Sequence, residues 1–120
     1  MTEPMLYKGG CHCGAVRYEV RMAPPPKAFG CNCSICSITG ALLAFVPASD
    51  FTLVAGEGAT TDYQFGKKHI HHRFCSTCGV RPYAHGAGKD GAEMMAINLR
   101  CLADFDELAL PVERFDGASL

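Results

Sequence analysis

Charge of one sign, long apolar runs and helical periodicity are all scarce in this 120-residue chain. A formal net charge of -1 argues against a nucleic-acid surface built on bulk basic charge. No stretch approaches the roughly 20 apolar residues of a membrane-spanning helix, so we expect no membrane partner. Glu3 and Pro4 lie where a secretory signal needs an unbroken apolar run. We therefore expect a cytoplasmic location, where thiols stay reduced.

Short alternating segments between turn-forming residues predict an all-β protein. The candidate strands are 16–20, 42–46, 51–54, 60–65, 69–74, 81–85, 94–99 and 111–115. Only 102–110 is expected to hold a helical turn or two, and 86–91 is expected to be a mobile loop. Phe45, Phe65 and Phe74 are expected in the core. Because the sequence contains no linker, repeat or low-complexity tract, we predict a single domain over 1–120.

Cysteine is what the chain has in excess, because seven of its eight cysteines fall into three tight clusters. The clusters are Cys11-His-Cys13, Cys31-Asn-Cys33-Ser-Ile-Cys36 and Cys75-Ser-Thr-Cys78. Disulfides are the alternative interpretation. Pairs separated by one or two residues, in a chain expected to be reduced, are more typical of metal ligands. Two, three and two thiols then predict one four-thiolate zinc site and one three-thiolate zinc site.

The first and last clusters are predicted to share the four-thiolate site. Sulfurs around zinc lie roughly 3.8 Å apart, given a Zn–S distance of about 2.3 Å, so the chain must turn after each pair. Gly14 and Gly79 directly follow Cys13 and Cys78 and can adopt the positive φ that such a turn needs. A rival grouping places Cys31 or Cys33 with Cys75 and Cys78. In either case we expect the metal-free protein to be unfolded or molten.

The triplet is the predicted catalytic centre, formed by Cys31, Cys33 and Cys36. Zinc held by three protein ligands keeps a position for water or substrate, whereas zinc held by four is usually structural. Three thiolates leave zinc a weak Lewis acid that favours capture of another thiol over hydrolysis. The alternative is a second structural zinc closed by a fourth side chain. The candidates for that ligand are Ser34, Ser37, Thr39, His12, His69, His71, His72 and His85.

Three ordered motifs resemble one known family. They are Gly9-Gly10-Cys11-His12-Cys13-Gly14-Ala15-Val16-Arg17-Tyr18, Cys31-Asn32-Cys33-Ser34-Ile35-Cys36 and Phe74-Cys75-Ser76-Thr77-Cys78-Gly79-Val80. Together they resemble the glutathione-dependent formaldehyde-activating enzyme family, which includes centromere protein V. The resemblance spans about residues 7 to 115.

The resemblance implies a β-tent fold of antiparallel sheets with two zinc ions per chain. The structural zinc would be bound by Cys11, Cys13, Cys75 and Cys78, and the catalytic zinc by Cys31, Cys33 and Cys36. The implied activity is that of a carbon–sulfur lyase that joins formaldehyde and glutathione into S-hydroxymethylglutathione. Ser37-Ile38-Thr39-Gly40 follows Cys36 where many relatives carry basic residues, and this departure bears on glutathione binding.

Four cations are candidates for binding a substrate carboxylate near the metal: Lys67, Lys68, Arg73 and Arg81. Cys101, the eighth cysteine, is interpreted as a buried apolar thiol. Two functional hypotheses follow from these residues. The first is a zinc-dependent lyase acting on a small-molecule thiol, with glutathione as the implied substrate. The second is a non-catalytic zinc module for protein contacts.

Overall fold

The computed structural model describes residues 3–65, 68–88, 90–106 and 109–116. Within these residues the chain forms ten β-strands and one short α-helix, α1 (Ser34–Thr39). The strands are β1 (Met5–Gly10), β2 (Arg17–Met22), β3 (Ala28–Cys31), β4 (Leu43–Pro47), β5 (Phe51–Ala55), β6 (Thr60–Tyr63), β7 (Ile70–Cys75), β8 (Tyr83–Ala87), β9 (Glu93–Asn98) and β10 (Val112–Phe115). The predicted all-β class is therefore confirmed.

The strands form two sheets that differ in size. The smaller sheet has the order β1-β2-β5, and the larger has the order β10-β3-β4-β9-β8-β7-β6. The strand pairs are antiparallel except for β10 and β3, which run parallel with Val112 opposite Ala28. Lys27 and Glu113 join this parallel pair through an ion pair of 2.6 Å. On its other side β3 pairs with β4, so the two ends of the segment that carries α1 are neighbours in the large sheet.

The main core lies between the two sheets. Val16, Tyr18 and Val20 are at most 1% exposed, while Arg17 between them is exposed, as expected for a strand with one buried face. Tyr18 packs on Phe51 and Tyr83, with ring centroids 5.0 and 5.8 Å apart. The predicted alternation over 16–20 is therefore observed, although the strand itself begins at Arg17.

Gly10 allows the chain to turn tightly between β1 and β2. A Cβ atom at this position would lie 2.2 Å from the carbonyl oxygen of Val16, so only glycine fits. The amide of Cys11 donates to the same Val16 carbonyl at 3.1 Å. The close approach of the two strands thus places Cys11 and Cys13 at the end of the small sheet.

Several sequence predictions differ from the structure. The segments that form β1, β3 and α1 were not predicted, because none of them shows a clear period. The described part of 102–110 holds a helical turn at Ala109, whose amide donates to the Asp106 carbonyl at 3.2 Å, whereas Leu102 forms a β-bridge with Gly9. The expected loop at 86–91 is shorter, since β8 continues to Ala87. No helix within the described ranges is long and apolar enough to cross a membrane.

The aromatic residues expected in the core also need correction. Phe45 is 47% exposed and Phe65 is 37% exposed, so neither is buried. Phe45 lies on the face of β4 opposite Ala44 and Val46, both of which are buried in the main core. Its side chain packs instead against Phe29, with ring centroids 5.5 Å apart. The large sheet therefore carries aromatic side chains on its outer face.

Candidate metal centres and functional site

The first and last cysteine clusters come together in space. Sγ atoms of Cys13 and Cys75 lie 3.6 Å apart although the residues are 62 positions apart in the chain. Cys11 and Cys13 are also 3.6 Å apart, and all four Sγ atoms, including that of Cys78, lie within 4.8 Å of one another. These separations match the roughly 3.8 Å expected around a tetrahedral zinc ion. The structure therefore favours the predicted grouping over the rival one.

Backbone amides point at the sulfurs of this four-cysteine group. Val16 N donates to Cys11 Sγ at 3.3 Å, and the amides of Thr77 and Cys78 approach Cys75 Sγ at 3.4 and 3.5 Å. Gly14 and Gly79 have φ values of 85° and 79°, as the turn argument predicted. Amide donors stabilise thiolates, so the turns prepare the sulfurs to carry charge.

The thiol pKa values show how charge is shared in the four-cysteine group. Amide donation from Val80 and Cys13 lowers the pKa of Cys78 to about 6. The amide of Ala15 also favours the thiolate of Cys13, but the neighbouring Cys75, burial and Cys11 outweigh it and raise its pKa to about 11. Four sulfurs this close cannot all ionise without a cation among them. The donor set therefore fits a zinc ion.

The second group contains Cys31, Cys33 and Cys36, whose Sγ atoms also lie within 4.8 Å of one another. Cys31 ends β3, Cys33 precedes α1, and Cys36 lies within that helix. The helix turns the chain back on itself, and Gly40 ends it with a φ of 68° while donating to the Cys36 carbonyl at 2.9 Å. A six-residue helix thus brings three thiols together without help from distant segments.

Arg81 lies beside this three-cysteine group. Burial and the neighbouring Cys33 raise the pKa of Cys36 to about 11, although the nearby Arg81 guanidinium acts in the opposite direction. Burial opposes ionisation of Cys33 as well, but amide donation from Cys36 and hydrogen bonds from Cys31 and Cys36 leave its pKa lowered. The three sulfurs thus compete for negative charge, and a dication would relieve that competition. These residues also fit zinc.

The five histidines lie in the described part of the chain, and none of them joins either cysteine group. His71 Nδ1 lies 2.7 Å from a carboxylate oxygen of Asp62, and His85 bonds to Arg73 and Glu93. His72 Nδ1 accepts a hydrogen bond of 2.8 Å from Arg81 Nη1. Among the hydroxyl candidates for the fourth ligand of the triplet, Ser37 donates to the Asn32 carbonyl and Thr39 to the Ile35 carbonyl, both at 3.0 Å.

The candidate cations and the eighth cysteine occupy different places. Arg81 is the one beside the cysteines, whereas Arg73 donates to His85 at 3.1 Å. Lys68 lies in the turn before β7, and Lys67 lies outside the described residues. Cys101 donates its thiol to the Arg81 carbonyl at 3.9 Å, and burial raises its pKa to about 11. Cys101, which was predicted to be buried, is half-buried and belongs to neither cysteine group.

One face of the large sheet connects Arg81 to the aromatic residues described above. Strand register aligns Phe45, Ala96, Ala84, His72 and Tyr63 across five adjacent strands, and we call this set the cross-strand row. Residues paired in this way share one face of a sheet. Aromatic rings thus stand at the two ends of the row, and two alanines lie between Phe45 and His72.

The row adjoins the three-cysteine group. Ala96 packs against the cluster that contains Cys36 and Leu43, and Phe29 contacts the same cluster. On the side of the two alanines away from Phe45, the His72 ring stacks against Phe65, with ring centroids 5.4 Å apart and an interplanar angle of 18°. The two alanines, of which Ala84 is 5% exposed, therefore lie between Phe45 and the His72 to Arg81 pair.

Two cavities lie elsewhere on the molecule. One of about 520 Å³ is lined by residues of β1, β2 and the first cysteine cluster, and also by Cys101. The other, of about 410 Å³, is lined by Arg73, Tyr83, His85 and Glu93 among others. Neither includes Cys31, Cys33 or Cys36. The larger cavity adjoins the four-cysteine group, in which Cys13 is exposed and Cys75 is buried.

The fold and the two cysteine groups agree with comparisons with known proteins. The chain belongs to the glutathione-dependent formaldehyde-activating enzyme family, whose model matches residues 6–116. A Halomonas elongata protein that carries the same family name is 38% identical over 87 residues, which cover 62% of this chain and 52% of the relative. The chain thus spans about half the length of that curated relative.

A solved structure is also similar. The crystal structure of a Rhodobacter sphaeroides protein matches with a TM-score of 0.76 and 34% identity, covering 88% of this chain and 99% of the other. The resemblance inferred from the three cysteine motifs is therefore confirmed.

Proposed function

We propose that this protein is a zinc-dependent carbon–sulfur lyase whose substrates are adducts of small thiols. The observation that carries the proposal is the gathering of three Sγ atoms within 4.8 Å beside the Arg81 guanidinium. Cys31, Cys33 and Cys36 would bind the catalytic zinc, and Cys11, Cys13, Cys75 and Cys78 the structural one. The family name supports glutathione and formaldehyde as the reacting pair.

The proposed reaction joins a thiol to a carbonyl carbon. Zinc, when bound by three thiolates, supplies a soft cation that favours a substrate thiol in its deprotonated form. The substrate sulfur forms a bond to the formaldehyde carbon, the C=O π electrons move to oxygen, and that oxygen takes up a proton. The product is a hydroxymethyl thioether, and the reverse direction cleaves the same C–S bond.

The chain's own residues have separate roles in this proposal. The three cysteines would hold the metal between β3 and β4, where Cys31 and Cys33 are partly exposed. Arg81 offsets the negative charge that three thiolates and a substrate thiolate bring together. The whole stretch 1–120 would act as one domain, and reduced thiols, as in the cytoplasm, would keep both sites able to bind metal.

Cobalt-substituted protein provides the test, because thiolate ligation changes the visible spectrum of cobalt. Titration with glutathione should shift the spectrum of the wild type, and formaldehyde plus glutathione should be consumed by the zinc-loaded protein. Cys33→Ser should lose both responses, whereas Cys101→Ser, which alters a thiol outside both groups, should keep them. A wild-type spectrum that no thiol changes would instead favour the non-catalytic zinc module.

A further inference from the structure

The strongest unassigned feature is the contact between Arg81 and His72 on the outer face of the large sheet. The two residues are nine positions apart and come from β7 and from the segment before β8. His72 is 7% exposed, and its Nδ1 accepts the hydrogen bond from Arg81 Nη1 at 2.8 Å. A buried neutral imidazole that accepts this bond fixes where the guanidinium lies.

Neighbouring residues hold His72 in that position. Phe65 stacks on one side of the imidazole, with ring centroids 5.4 Å apart, and Tyr63 lies 6.5 Å away. Burial, followed by the charge of Arg81, lowers the pKa of His72 to about 4, so the ring is neutral at pH 7. It can therefore accept from Arg81 without repelling it.

The guanidinium fixed in this way has donors to spare. Arginine carries five N–H groups in a planar fork that matches a carboxylate. His72 and Cys36 account for part of this set. Arg100, a second cation near α1, donates Nε to the Gly40 carbonyl at 3.4 Å and so faces the end of the helix. Arg81 thus lies against the cross-strand row at His72 and acts on the thiol of Cys36.

The negative charge of a three-thiolate zinc site makes a neighbouring cation important for binding an anionic substrate. Three thiolates on a dication carry a net charge of -1, and a bound substrate thiolate makes it more negative. A second anionic group on the substrate would be repelled unless a cation lies beside it. Ser37-Ile38-Thr39-Gly40 supplies no basic side chain next to Cys36. Arg81 reaches the cysteines from another part of the chain and can supply that charge.

We propose that Arg81 recognises a carboxylate on the thiol substrate of the three-cysteine site, and that His72 is the positioning residue that aims it. This inference rests on the proposed function. The substrate class is therefore a small thiol that also carries a carboxylate.

The test compares two small probes, mercaptoacetate and mercaptoethanol, which differ chiefly in the carboxylate. Dissociation constants are measured from the spectrum of cobalt-substituted protein and by calorimetry on zinc-loaded protein. Wild type should bind mercaptoacetate about tenfold or more tightly than mercaptoethanol, as expected for a charge-assisted hydrogen bond. Arg81→Gln should abolish this preference. Arg81→Lys should retain part of it, because the charge remains and the fork is lost.

The structure offers a matched control in Arg73→Gln. Arg73 also donates to a histidine, His85, but it lies on the opposite face of the sheet, paired with Tyr83. This variant should keep the full preference. His72→Ala should reduce the preference without abolishing thiol binding, and His72→Asn should restore it, because the asparagine oxygen can replace Nδ1 as the acceptor.

The possible failures are distinguishable. Equal binding of the two probes to wild type, or an unchanged preference in Arg81→Gln, would overturn the carboxylate assignment and leave the proposed lyase standing. The wild-type comparison decides this even where a variant fails to bind metal. If neither probe changes the cobalt spectrum of wild type, both the proposed function and this inference are wrong.

Discussion

The two cysteine groups contrast in how the chain builds them. The four-cysteine group joins residues 62 positions apart, at the junction of the two sheets, whereas the three-cysteine group forms within a single strand-to-helix turn. Closing a long loop removes much conformational entropy from the unfolded chain. Metal binding to the four-cysteine group therefore stabilises the whole fold. The three-cysteine group, in contrast, can gain or lose its metal while the fold remains.

Removal of one thiol from each group tests most directly whether the two cysteine groups have different roles. Cys75→Ser should abolish cooperative unfolding, because structural zinc contributes about 10 kcal/mol or more, comparable to the net stability of a whole domain. Cys33→Ser should keep a cooperative thermal transition by circular dichroism. Chelator treatment of wild type should resemble Cys75→Ser. Equal effects of the two substitutions would contradict the division of roles.

The glycines near the two groups provide a second comparison, with smaller effects. Gly10→Ala should destabilise the protein by about 3 kcal/mol, because its Cβ would lie 2.2 Å from the Val16 carbonyl oxygen. Gly40→Ala should cost about 1–2 kcal/mol, since only its φ of 68° is unfavourable and no atom lies within 4 Å. Urea titration of both variants measures the difference. A larger loss for Gly40→Ala would contradict this ranking.

His72 predicts a pH dependence on the side of the sheet that carries Arg81. Its pKa falls from 6.5 to about 4 through burial and then the charge of Arg81, with Asp62 acting in the opposite direction. The unfolded chain therefore binds the proton more readily, so stability falls as the pH drops below about 6.5 and the loss levels off near pH 4. Between pH 7 and 5 the loss is about 2 kcal/mol.

Comparison of wild type with His72→Asn isolates the contribution of His72 to the pH dependence of stability. Any loss of bound metal in acid affects both proteins alike and cancels in this comparison. Denaturant titrations of wild type and variant at pH 7 and pH 5 give the difference directly. Wild type should lose more stability than His72→Asn over this interval. Parallel losses would show that the imidazole takes no part in the pH dependence.

The smallest expected effect concerns the ion pair between Lys27 and Glu113. Both side chains are exposed, so the 2.6 Å contact should contribute less than about 1 kcal/mol. Lys27→Met should lower stability by that amount at low salt and by almost nothing at high salt. A loss above this range would indicate that the parallel pairing of β10 with β3 depends on the ion pair.

Local patterns in the sequence predicted much of this molecule. Cysteine spacing identified both groups, because the ligands within each cluster are only one or two residues apart. Alternation predicted β2, and short apolar runs predicted β4 and β5, each to within a residue or two. The positive φ at Gly14 and Gly79 followed from the turn that the thiols need.

Features that depend on distant partners could not be predicted in this way. The helix α1 has six residues and no apolar period, and its form depends on Gly40 and on the cysteines it carries. Strand β3 becomes evident only through its pairing with β4 and β10. Arg81 was a candidate among four cations, but its bond to His72 requires the strand register that aligns the cross-strand row. The exposure of Phe45 has the same origin.

The parallel pairing of β3 with β10 has a consequence for protein synthesis. On the ribosome, residues 28–31 and the whole cysteine triplet are made long before 112–115, which form their outer neighbour in the sheet. The nascent chain must therefore carry β3 as an exposed edge until late in translation. During that interval, early capture of a metal ion by the nearby thiols would restrain a segment that otherwise presents unpaired backbone groups to other chains.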